Sequence, residues 1–92
     1  MSKLVVTPQN VREFLLARYA GQVAGKGLAA KDVPDSFDFF LEGAIDSFGV
    51  LEMITALEKE FQVELDMAVL DADRMTILGH LSKFVADQAN SR

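Results

Sequence analysis

Three stretches of this chain repeat apolar residues at spacings of three and four, and that periodicity restricts the fold to packed amphipathic helices. In the first, Val11, Phe14, Leu15 and Tyr19 share one face. Thr7-Pro8 opens it, with Thr as N-cap and Pro at the first helical position. Gly21 and the Gly25-Lys26-Gly27 cluster are expected to close it. The second helix is expected from about Ser47 to Phe61, with Asp46 as N-cap. Its predicted buried stripe is Leu51, Ile54, Leu57 or Glu58, and Phe61, with Phe48 near its start. The third stretch is capped by Thr76 and places Ile77, Leu78, Leu81, Phe84 and Val85 on its core face. Asn90-Ser91-Arg92 should fray.

Two segments connect these helices. The longer one, up to about Ile45, contains Pro34, several Asp residues, Phe37, Phe39 and Phe40. A loop of that length in a small domain needs structure of its own. Its three Phe residues predict that it packs back onto the helices, through one short helical turn. Val63 and Leu65 continue the apolar contact past the second helix. Asp66 to Ala72 predicts a short helix carrying Val69 and Leu70. The strand signal is weak, since Leu4-Val5-Val6 is too short to decide. The fold class expected is therefore all-α: a small antiparallel bundle of three main helices plus one short helix, with a long first loop. At 92 residues this reads as one domain, residues 1-92, with its core over about 8-86.

Charge is distributed unevenly. The span from Asp32 to Asp73 holds twelve of the 14 acidic residues and a single base, Lys59. Such a surface repels phosphate backbones, which argues against a nucleic-acid partner. It suits partners with basic patches, or else is a solvated face that confers solubility. The chain has no Cys, which removes disulfides and thiolate metal sites from consideration. No apolar run approaches the roughly 18–20 residues of a membrane span. The run at Leu4-Val5-Val6 is too short for a secretory signal. A cytoplasmic monomer is expected.

Catalytic constellations are missing from the sequence. His80 is the only histidine and has no partner motif. Around Ser47 the hydrolase elbow fails, because Ile45 stands where its first glycine belongs. The acids do not have calcium-loop spacing. The chain therefore reads as a non-enzyme. Ser47 itself has two readings. Its hydroxyl satisfies a backbone donor at the helix start, or it is a surface attachment point. A phosphodiester there would sit where orphan amides and the helix dipole favour an anion. Gly43 would allow the tight approach, and Gly49 would leave room beside the site.

The run Glu42-Gly43-Ala44-Ile45-Asp46-Ser47-Phe48-Gly49, with Leu57-Glu58-Lys59-Glu60-Phe61, Val63-Glu64-Leu65 and a downstream helix opened by Thr76-Ile77, resembles the acyl carrier protein family. These are phosphopantetheine-binding carriers. The resemblance covers roughly residues 8–86 and is strongest from Phe40 to Leu65. It implies a 4'-phosphopantetheine arm on Ser47, beside Asp46, carrying acyl or aminoacyl groups as thioesters between biosynthetic enzymes. It also implies that Phe48, Glu52, Thr55, Glu58 and Lys59 face partner enzymes. Those partners would be a phosphopantetheinyl transferase and loading and transferring enzymes with basic docking patches. A groove lined by Ile54, Leu57, Phe61, Val69 and Leu78 would shelter an apolar chain; plain core packing is the alternative for each residue.

The chain departs from the family pattern at several positions. Phe48 replaces an aliphatic residue, Gly49 an acidic one and Thr55 a hydrophobic one. Lys59 interrupts an acidic run, and Asp66 stands where proline is common. These departures point to a specialised carrier instead of the housekeeping fatty-acid one; the resemblance itself implies fatty-acid, polyketide or nonribosomal peptide biosynthesis as the setting. The competing reading is an acidic helical adaptor that binds basic partners without a prosthetic group.

Overall fold

The computed structural model describes residues 5–66 and 74–90. It contains α1 (Pro8–Arg18), α2 (Ala20–Ala24), a 3-10 turn at Ala30–Asp32, α3 (Ser47–Phe61) and α4 (Leu78–Asn90). The chain is all-helical, a small bundle with no strand among the described residues. The expected short helix at Asp66 to Ala72, with Val69 and Leu70, lies outside the described residues except for Asp66.

α1 starts as its sequence dictates. Thr7 Oγ1 accepts from Asn10 N at 3.1 Å, and Asn10 Oδ1 accepts from Thr7 N at 3.2 Å, a reciprocal capping box. Its buried face is Val11, Leu15 and Leu16, and it packs along α4. Gly21 does not stop the helix. Tyr19 leaves helical geometry for one residue (φ −108°, ψ 24°), and α2 then continues through Gly21 to Ala24. The amide of Val23 still bonds to the Tyr19 carbonyl at 2.9 Å, which carries the ladder across the break. The stop comes at Gly25-Lys26-Gly27, where Gly27 has φ +79°, a conformation open to glycine at little cost.

The long loop packs inward through two of its three Phe residues. Phe37 and Phe39 are buried and meet edge-to-face at 5.1 Å, and Tyr19 lies 5.4 Å from Phe39. Phe40 is exposed instead. The loop also closes the start of α4. Leu78 N donates to the Phe37 carbonyl at 2.8 Å, and Gly79 N to the Asp35 carbonyl at 2.9 Å. Those are amides at a helix start that lack intrahelical partners. Thr76 therefore does not cap α4; its hydroxyl is spent elsewhere. Gly79 is required by this approach, since a Cβ there would come within 2.6 Å of Asp35 Cβ. Arg12 fastens the same loop to α1, with an ion pair to Asp35 at 2.7 Å and a hydrogen bond to the Val33 carbonyl.

α3 runs over the residues its pattern predicts, but its core face is rotated from the predicted one. Met53, Ile54 and Leu57 are buried, with Val50 and Phe61 packed against them. Leu51 and Phe48 are not part of that stripe: they are 61% and 68% exposed. Val50, Met53, Ile54, Leu57 and Phe61 follow the helical period, and that register leaves Leu51 on the outer flank. Phe61 meets Phe14 of α1 edge-to-face at 5.6 Å. Beyond α3, Val63 and Leu65 are buried as expected. Of the end expected to fray, Asn90 is still helical and its Nδ2 donates to the Val6 carbonyl at 2.6 Å, tying the two ends of the described chain together, while Ser91 and Arg92 lie outside the described residues.

Candidate functional site

Ser47 is the first residue of α3 and is exposed. The capping duty at this helix start belongs to Asp46. Its Oδ1 accepts from Gly49 N at 2.7 Å, while its backbone carbonyl accepts from Val50 N at 3.0 Å. The turn is tight: a Cβ on Gly49 would lie 3.0 Å from Ile45 Cβ and 3.3 Å from Asp46 Oδ1. Gly43, at φ +77°, supplies the bend that brings the loop to the helix. Of the two sequence readings of Ser47, the helix-capping one is removed, because Asp46 performs it. The amides of Ser47 and Phe48 have no partner within the helix. They and the helix dipole favour an anion at the serine oxygen. An exposed hydroxyl at that place fits a phosphodiester-linked group.

A small recess of about 240 Å³ opens beside Ser47. Phe40, Val50, Met75 and Thr76 line it together with Ser47. Sequence reasoning missed these four residues. They come from three separate segments, and no local spacing connects them. The lining expected from the sequence is elsewhere: Ile54, Leu57 and Leu78 are core residues, Phe61 is half-buried against that core, and Val69 lies outside the described residues.

The outer face of α3 carries a second, larger groove of about 450 Å³. Phe48, Glu52, Thr55 and Lys59 line it at helical spacing, together with Leu51 and with Arg18 from the end of α1. Thr55 Oγ1 donates back to the Leu51 carbonyl at 3.0 Å, within its own helix. Four of the five residues expected to face partners are therefore neighbours. Glu58 stands apart. It is half-buried, and its Oε2 accepts from Leu65 N at 2.8 Å, which fixes the chain after α3. Leu51 is the member that the predicted stripe concealed; its three- and four-residue spacing to Phe48 and Thr55 was the available signal.

No group of three or more metal-ligating side chains occurs among the described residues. No described helix is long and apolar enough to cross a membrane. A family model described as a phosphopantetheine attachment site matches residues 16–82, well over half of the chain. No curated protein and no solved structure gives a significant match.

Proposed function

The chain belongs to the phosphopantetheine-attachment family, that of the acyl carrier proteins, and on that premise we propose that it holds acyl or aminoacyl groups as thioesters on an arm joined to Ser47. Members of this family are non-catalytic carriers of a covalent 4'-phosphopantetheine. One observation carries the choice of serine: Asp46 caps α3, so the exposed Ser47 hydroxyl has no structural task at the helix start. The arm supplies a thiol that bears the cargo. The chain's own part is to present the hydroxyl to a transferase, to hold the phosphate at the α3 amides and to dock the enzymes that use the cargo. The reading takes residues 1–92 as a single carrier domain.

We place partner docking on the groove of Phe48, Leu51, Glu52, Thr55 and Lys59. Two large exposed apolar side chains next to the attachment point support this, since such patches mark interaction sites. Arg18 and Lys59 make the groove mixed in charge, not purely acidic. An adaptor without a prosthetic group leaves the family match without a role. The test is incubation with coenzyme A and a broad-specificity phosphopantetheinyl transferase, read by intact-protein mass. One arm per chain is expected, and none on Ser47→Ala. Modification that persists in Ser47→Ala, or that maps to Ser36 or Ser82, would refute the assignment.

A further inference from the structure

The loop that enters α3 and the segment that enters α4 are locked together beside Ser47. Asp38 Oδ1 accepts from Thr76 Oγ1 at 2.6 Å, from Phe40 N at 3.0 Å and from Leu41 N at 3.1 Å. Phe39 N donates to the Thr76 carbonyl at 2.9 Å, within a single antiparallel bridge between Asp38 and Ile77. Asp38 and Thr76 are both buried, so these bonds form away from competing water. They fix Phe40 and Thr76, both of which line the recess at Ser47.

We infer that this recess seats the dimethyl-bearing carbon of the phosphopantetheine arm, and that the Asp38–Thr76 hydrogen bond is the positioning device that holds together the two segments bearing its lining residues Phe40 and Thr76. The inference rests on the carrier reading and names where the arm lies. The arm's branched carbon follows the phosphate by a few bonds, whereas its thiol and cargo are at the far end. A recess that opens at the serine itself meets the branched carbon first. Phe40, Val50 and Met75 offer it apolar contact, and the phosphate stays outside at the α3 amides. Apolar methyl groups gain by leaving water for such a surface.

The test uses the arm-bearing protein with carbon-13-labelled methyl groups. Nuclear Overhauser contacts are expected between the arm's two methyls and the methyls of Val50 and Met75. The two arm methyls should have shifts displaced from those of free pantetheine. Thr76→Val, which keeps the shape and removes the hydroxyl, should lose these contacts and return the two shifts to their free-pantetheine values. Thr76→Ser should restore both. Met75→Gln, which leaves the Asp38 bond untouched, should weaken the arm's remaining contacts with the Val50 methyls and covers the case in which Thr76→Val does not fold. An arm attached to Ser47 with free-pantetheine shifts and no such contacts would overturn this inference alone, as would a Thr76→Val protein whose arm signals match the wild type. Failure of any arm to attach at Ser47 would overturn the carrier reading and this inference with it.

Discussion

Adjacent residues at the start of α3 divide two tasks, and paired substitutions separate them. In Asp46→Ala the carboxylate that accepts from Gly49 N at 2.7 Å is lost. Loss of an Asp N-cap costs about 1 kcal/mol. The site is exposed, so water can replace the acceptor and hold the loss near that figure. In a domain of this size such a loss lowers the melting temperature by about 4–8 °C. Ser47→Ala should behave differently, because its hydroxyl caps nothing. Alanine also has the higher helix propensity, by a few tenths of a kcal/mol. Its melting temperature should stay level or rise slightly, while arm addition is abolished. Asp46→Ala should lower stability and still accept an arm. Thermal unfolding followed by circular dichroism, beside mass spectrometry of the transferase reaction, reads both properties. Equal destabilisation by the two substitutions would show that the Ser47 hydroxyl shares the cap, and the division of labour would fail.

Other outcomes follow from the same geometry. Glu58→Ala should cost about 1–2 kcal/mol in urea unfolding, because Leu65 N loses its acceptor. The exposed Glu52→Ala should stay within about 0.5 kcal/mol and alter only partner transfer rates. Gly79→Ala should destabilise by about 1–3 kcal/mol, as the new Cβ collides with Asp35 and disturbs the loop carbonyls that close α4; an unchanged melting temperature would mean that the loop yields freely. Glu60 lies exposed near the C-terminal end of α3, where the dipole disfavours acids. Glu60→Gln should therefore add about 0.3–1 kcal/mol at low ionic strength, a gain that shrinks in sodium chloride.

What was legible in the sequence was local. Thr7-Pro8, Asp46-Ser47 and the apolar periods set the helix starts, because caps and period depend on residues within one or two turns. The Asp-Ser junction and its flanks likewise pointed to the attachment family without any coordinates. The register of α3 was less secure. Leu51 and Met53 are both apolar, and only the position of α1, α4 and the loop decided that Met53 would be buried and Leu51 left in the outer groove. Gly21 illustrates the same limit: its helix-breaking tendency is about 1 kcal/mol, and the burial of Tyr19 and Val23 on either side offset it. The tertiary structure alone decided the rest. Asp38 and Thr76 lie 38 residues apart and look, in the sequence, like a loop acid and a helix cap. Folding joins them beside Ser47, because the buried Phe37 and Phe39 draw the loop onto the start of α4 and leave Thr76 facing a carboxylate. Contacts between distant segments depend on how whole elements pack, and no spacing along the chain encodes that.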